Sequence, residues 1–246
     1  MVQPKVLAKG RYYPKDISIS YKKESNRKID KSLELKVSQK WEEMLKEAKS
    51  KGKLIYNGES YRLNNLTETN CKLHFEVSKF RYSTRRPIRE FPEELEKLGE
   101  DYYSRGLAIG GFIKTTDDLY IFGKRSGKTM ETNSEDFIGG IVDEVDLKTG
   151  EDIFKLNKRE IFEELNITSA EIADIYLVGV VSTGVANVVI ISQTFLNVDS
   201  EHVNQLFDKR KDSEMKSLRF VKEKDLKTYL KGLGGHKNAV VELIDL

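Results

Sequence analysis

The sequence predicts an α/β fold of the α+β kind: helices sandwiching a mixed sheet, preceded by a smaller α+β region. Three observations carry that reading. Runs rich in valine and isoleucine come in neighbouring pairs joined by short turns, as antiparallel strands do. Helical patterns stand between and after those pairs instead of alternating with single strands, which argues against a doubly wound parallel sheet. No repeat or low-complexity linker interrupts the chain, and a soft boundary near residue 105 separates an N-terminal region, 1–105, from a main domain, 106–246.

Taken in order, the first thirty residues offer one strand pattern, DISISYK, and a charged run, KKESNRKIDK, that reads as a solvated loop. SQKWEEMLKEAKSKG predicts a helix capped by Ser38, with Trp41, Met44 and Leu45 on one side and a stop at Gly52. KLIYNGESYRL predicts a hairpin around Asn57-Gly58, because Asn-Gly favours the tight turn that joins two strands. CKLHFEV alternates like a strand and places Cys71 as a small buried residue. YSTRRPIREF reads as a basic loop interrupted by proline, and FPEELEKLGEDYYSRG as a helix ending near Gly106.

A denser β region follows. GLAIGGFIKTTDDLYIFGKR gives two strands joined by the turn TTDD, and FIGGIV gives a third short segment. After the helix that carries the acids discussed below come two long strands, IADIYLVGVVST and ANVVIISQTFLNV, with Gly184 near their turn. EHVNQLFDKRKD is a helix, MKSLRFV a strand, EKDLKTYLKG a helix, and GHKNAVVELIDL a final helix.

Bulk properties narrow the function. The chain has 246 residues, 38% of them hydrophobic and 33% charged, but 42 basic residues balance 40 acidic ones to a net charge of +2. That balance gives no electrostatic reason to expect nucleic acid or a membrane as partner. A single cysteine rules out an internal disulfide or a multi-cysteine zinc site, and the three histidines, 74, 202 and 236, show no ligand spacing. MVQPKVLAKGRYYP lacks an apolar signal core, and no run approaches the ~18 apolar residues of a membrane helix. A soluble, cytoplasmic protein is the expectation; oligomeric state is not legible.

GKRSGKT, residues 123–129, invites a phosphate-loop reading and fails it. Three residues separate Gly123 from Gly127 where the motif needs four, and TMETNSEDF does not start a helix whose amides would hold the phosphate. A basic turn is expected, with Arg125 or Lys128 able to touch a phosphate.

The chemistry concentrates in KREIFEELNI, residues 158–167. Glu160, Glu163 and Glu164 lie at i, i+3 and i+4, so a helix turns all three to one side. Like charges so placed repel, and a divalent cation would compensate them, since magnesium binds carboxylate oxygens and substrate phosphates. Arg159 is positioned to pair with Glu163 or another acid, and Ile161 and Leu165 should face the core. Glu151 lies at the helix start, where its charge suits the dipole.

From Glu151 to Ile167 the residues read E-x7-R-E-U-x-E-E-x-N-U, with U aliphatic, following Gly139-Gly140. This resembles the Nudix box, G-x5-E-x7-R-E-U-x-E-E-x-G-U. Two departures stand out. Asn166 replaces a glycine that ends the helix in a left-handed conformation, which asparagine tolerates best after glycine. Ten residues, not five, separate Gly140 from Glu151, an extension over 141–150 expected to reshape the site. The resemblance implies a Nudix-type α/β/α sandwich and a hydrolase of nucleoside diphosphate-linked pyrophosphate bonds. It implies magnesium, with manganese as the alternative, bound by Glu160, Glu163, Glu164 and the Gly140 carbonyl. Glu214 is a further candidate ligand from a later loop.

Outside the box, the order of the Trp41 helix, YNGESYRLNNL, the basic loop and the extended Gly-Gly loop is similar to Nudix hydrolases of UDP-glucose and UDP-galactose. That likeness implies UMP and a sugar 1-phosphate as products. It also implies a nucleotide pocket built partly by the N-terminal segment, with Tyr61, Arg62, Arg81, Tyr82, Arg85, Arg86 and Arg125 as candidates for base stacking or phosphate contact. ADP-ribose or another nucleotide as substrate, and a non-catalytic nucleotide sensor, remain the alternative readings.

Overall fold

The computed structural model describes residues 2–53, 55, 57–126, 132–143, 147–235 and 237–244. The strands are β1 (Lys5–Tyr12), β2 (Ile17–Lys22), β3 (Glu59–Thr69), β4 (Lys72–Arg81), β5 (Gly106–Lys114), β6 (Leu119–Ser126), β7 (Thr132–Asp136), β8 (Ile138–Ile141), β9 (Ile172–Ser182), β10 (Asn187–Leu196) and β11 (Met215–Lys222). The helices are α1 (Lys31–Ser50), α2 (Tyr82–Arg85), α3 (Pro92–Leu98), α4 (Gly150–Leu165), α5 (Ser200–Asp208), α6 (Leu226–Leu233) and α7 (Lys237–Val240).

These strands form one mixed, branched sheet in which β1-β9-β10-β5-β3-β4-β2 is the main path. β5 runs parallel to β10 and antiparallel to β8, and β2 runs parallel to β4. Side-chain alternation along β5 sorts the two faces. Leu107, Ile109 and Ile113 join the clusters that hold the apolar side of α4, while Phe112 joins the cluster of Leu226, Leu230 and Val240 from α6 and α7. Helix, sheet and helix are therefore stacked as the α/β/α sandwich the sequence predicts. Arg62 of β3 pairs with Gly106 of β5, and β1 pairs with β9, so the segments on either side of residue 105 share this sheet.

Several local expectations are corrected. The tight turn lies at Asn70-Cys71, both left-handed at φ 51° and 57°, and joins β3 to β4. Cys71 is thus exposed on a turn and not buried in a strand. The hairpin expected around Asn57-Gly58 has a first arm that includes Leu54 and Tyr56, which lie outside the described residues. Helix α1 begins seven residues before Ser38: the Asp30 side chain accepts from Leu33 N at 2.9 Å, and the buried line Leu33, Val37, Trp41, Met44, Ala48 starts there. The basic loop holds α2 and a 3-10 turn, Pro87–Glu90, and α3 stops at Gly99 with φ 96°. β1 and β7 have no counterpart in the sequence reading, because lysine and arginine break the apolar pattern of β1 and TNSED is polar. The last predicted helix is a short α7 followed by a 3-10 turn, Val241–Leu243; His236 lies outside the described residues. Among the described residues, no helix is long and apolar enough to cross a membrane.

Candidate functional site

Helix α4 sets the geometry. Its start is held by Asp152, whose Oδ2 accepts from Thr149 N at 2.8 Å and from Lys148 N at 3.1 Å. Its end is turned off by Asn166 at φ 59° and ψ 27°, the left-handed cap expected for this position, with Asn166 N donating to Phe162 O at 2.7 Å. Between them Ile153, Phe154, Leu156, Ile161 and Leu165 are buried, so the helix has one rotation in which its apolar arc meets the sheet.

That rotation decides which acids turn inward. Glu160 and Glu164 face β8, and Glu164 is 4% exposed. Glu163 is exposed, because three residues of helix carry it past Glu160 toward solvent while four bring Glu164 back toward the core. Sequence spacing alone treats all three alike; the buried arc separates them.

Two glycines make room for the inward pair. Gly139 sits at φ 155°, a conformation strained for other residues, and donates its N–H to Glu164 Oε2 at 3.1 Å. A Cβ on Gly140 would lie 2.4 Å from Glu160 Oε2. Burial pushes the Glu164 carboxyl up to about 9, opposed by the Gly139 hydrogen bond and reinforced by the charges of Glu160 and Glu214. Burial also raises Glu160, against the pull of Arg159, with Glu163 and Glu214 adding to the rise. Desolvated carboxylates sharing one cleft favour anything that supplies positive charge.

Arg159 lies beside this pair, and its acid partners include Glu160 and Asp143: its Nη2 is 3.1 Å from Glu160 Oε1 and 3.8 Å from Asp143 Oδ2. Asp143, in the extended 141–150 segment, was not singled out in the sequence; residues 144–146 of that segment lie outside the described residues. Glu214 reaches the same cleft from the turn before β11, and Arg125 Nη1 is 3.4 Å from its Oε2. Lys128 lies outside the described residues. Glu151 is exposed on the first turn of α4, whose capping carboxylate is its neighbour Asp152.

The other candidate substrate residues divide. Tyr82 lies within electrostatic reach of Asp143 and Glu160 and of Arg85 and Arg86, which places the start of α2 beside the acids. Arg85 is buried: Nη2 donates to Leu107 O at 2.7 Å, Nη1 has no partner, and burial presses its guanidinium down to about 10. Arg86 is lowered by burial and then by Arg89. Arg62 and Tyr61 are both buried. Arg62 is 1% exposed and donates to Asn26, Asn64, Leu63 O and Tyr103 O, so its head group is enclosed within the protein. Tyr61 is buried edge-on against Tyr21. Arg81 is exposed and 3.9 Å from Glu59.

The donors suit a hard cation in one specific way. Among the described residues no three acidic, histidine or cysteine side chains gather as a ready-made cage. Two inward carboxylates and the neighbouring Gly140 backbone match magnesium or manganese, which bind through one or two carboxylates and complete their shell with water and substrate phosphate oxygens. Two other concavities, one lined by Ser18, Thr67, Asn70 and His74 and one by Asp117, Leu119 and Lys222, contain no comparable set of buried acids.

No protein-family profile matches the chain, and no curated protein matches it. Solved structures similar to it include the NUDIX hydrolase from Nitrosomonas europaea, with 14% identity and a TM-score of 0.39 over 57% of this chain and 86% of that one. The MutT protein from Methanosarcina mazei aligns with 13% identity and a TM-score of 0.37 over 58% of this chain and 92% of that one. The NUDIX domain of Shewanella oneidensis NrtR, solved with ADP ribose, aligns with 13% identity and a TM-score of 0.40 over 57% of this chain and 86% of that one.

Proposed function

We propose that this chain is a Nudix-type hydrolase that uses magnesium or manganese to break the diphosphate bond of a nucleoside diphosphate-linked compound. UDP-glucose and UDP-galactose are the proposed substrates, giving UMP and a sugar 1-phosphate. The observation that carries the reading is the desolvated pair Glu160 and Glu164, cradled by Gly139-Gly140 on the helix bearing the E-x7-R-E-U-x-E-E pattern.

Glu160, Glu164 and the Gly140 carbonyl would hold the cation, with Glu163 and Glu214 at the edge of the cleft. When bound, it would offset charge on the diphosphate oxygens and acidify a coordinated water. Arg159, hydrogen-bonded to Glu160, fixes the direction of that carboxylate. Glu163, exposed on the next turn position, would accept a proton from the attacking water. Arg85, Arg86 and Arg125 are the proposed phosphate contacts. Arg85 supports this by burying a guanidinium whose Nη1 has no partner, which an anionic ligand would compensate.

Incubation with Mg2+ and UDP-glucose, UDP-galactose, ADP-ribose and dinucleotides, read by mass spectrometry, tests the proposal. UMP with a sugar phosphate, absent with Glu164→Gln, is the expected result. Turnover of ADP-ribose alone would retain the chemistry and discard the substrate. No turnover of any compound, with nucleotide still bound, would make the chain a nucleotide sensor.

A further inference from the structure

The buried face of α4 carries two polar side chains, Glu164 and Asn157. Asn157 lies seven residues before Glu164, about two turns along the same face, and three before Glu160. It is 1% exposed, and its Nδ2 donates to Ser192 Oγ at 2.6 Å; Ser192, on β10, is also 1% exposed. The sheet is shaped around this contact. In the parallel register Ser192 stands beside Gly111 of β5, and a Cβ on Gly111 would fall 2.2 Å from Ser192 O and 2.4 Å from Ser192 Oγ. The Ser192 hydroxyl therefore occupies space that any larger residue at 111 would take.

Apolar contacts hold a helix against a sheet but are non-directional, and they tolerate small rotations and slides. A buried hydrogen bond does not: displacement leaves a donor unsatisfied in a dry interior. The neighbouring buried side chains of α4, Ile153, Phe154, Leu156, Ile161 and Leu165, have no polar group with which to do this.

We infer that the Asn157–Ser192 hydrogen bond is a positioning device that sets the rotation and axial register of α4, and so the placement of Glu160 and Glu164 against Gly139-Gly140. The inference rests on the reading of those glutamates as cation ligands. Asn157 touches neither cation nor substrate; it acts through the helix. Residues that orient a ligating group cost about 10–100-fold in metal affinity or activity when removed.

The decisive variant is Asn157→Leu with Ser192→Ala. It removes both partners together, keeps the branched outline of the side chain at 157 while Ser192→Ala makes room for its larger methyl groups, and leaves no orphaned donor, so the variant is expected to fold. Mn2+ affinity, followed by the electron paramagnetic resonance of free Mn2+, is expected to weaken about tenfold or more. Turnover of whichever substrate the preceding assay identifies is expected to fall about 10²-fold with KM for the nucleotide nearly unchanged, as for a displaced catalytic group. Ser192→Ala alone is the second variant, should the double one fail to fold, and is expected to show the same Mn2+ loss. A folded variant with the parent's Mn2+ affinity overturns the inference and leaves the bond as packing alone. A parent chain that binds no Mn2+ instead sinks the cation reading itself, and the positioning inference falls with it.

Discussion

Replacing the titratable carboxyl of Glu164 is expected to stabilise the cation-free protein, and the size of the gain depends on pH. The folded carboxyl titrates at about 9 against an ordinary value of 4.5, because it is buried at 4% exposure. A raised folded value means the native state holds a proton that the unfolded chain releases. This contribution to stability is fully present below the ordinary value and is lost as pH climbs toward the folded one. At pH 7 the folded group is still protonated while the unfolded one ionised two and a half units lower. At about 1.4 kcal/mol per unit, that is a cost of about 3 kcal/mol. Glu164→Gln removes the titration while its side-chain carbonyl can still accept from Gly139 N. For a chain of this length, 3 kcal/mol corresponds to roughly 6–12 °C in Tm. The assay is thermal melting by circular dichroism in EDTA at pH 4.5, 7 and 8.5. The variant should match the parent at the lowest pH and melt progressively higher above it. Magnesium should close the gap, because it stabilises only the chain that binds it. Parallel Tm profiles in EDTA for the two proteins would refute the claim that Glu164 is desolvated.

Two further substitutions test particular contacts. Cys71→Gly places the better residue at a left-handed turn position and should add about 1 kcal/mol, seen as a higher urea midpoint at unchanged slope; a lower midpoint would restore Cys71 to the core. Gly140→Ala puts a methyl where the Glu160 carboxylate lies, and should weaken Mn2+ binding about tenfold or more while melting near the parent, since only a flexible side-chain end must move.

The acid helix was legible almost to the residue. Its glutamate spacing, its arginine and the asparagine that ends it are local signals, and the structure shows a helix over Gly150–Leu165 with a left-handed Asn166. The turn between β5 and β6 and the turn at Gly184 were legible for the same reason. What failed depended on distant partners. Asn70-Cys71 carries a weak local signal, and it is the pairing along β3 and β4 that makes it a turn. β1 is too charged to read as a strand, and β9 supplies the edge that makes it one. Arg62 and Arg85 were candidates for phosphate contact by residue type alone, and their burial depends on segments distant in sequence. Which glutamates face inward needed the sheet as a reference. Asn157 was not singled out in the sequence, although a polar residue amid Ile153, Phe154, Leu156 and Ile161 signals a buried hydrogen bond once the helix is known to be packed.

The strand order also governs how this molecule must come together. β1 can find its place only on β9, where Lys5 lies opposite Ser182, and β5 waits for β10 to complete its parallel ladder. Both pairings join residues far apart in the chain, and such closures are slow compared with helices and hairpins. During synthesis the N-terminal strand emerges long before its partner and carries Lys5, Lys9 and Arg11 along its length. Charges of this kind keep a strand with open edges from pairing with the wrong neighbour. The basic residues that concealed β1 from the sequence reading thus protect it during the wait, and replacing them with apolar residues would make a nascent chain prone to aggregate before the fold could close.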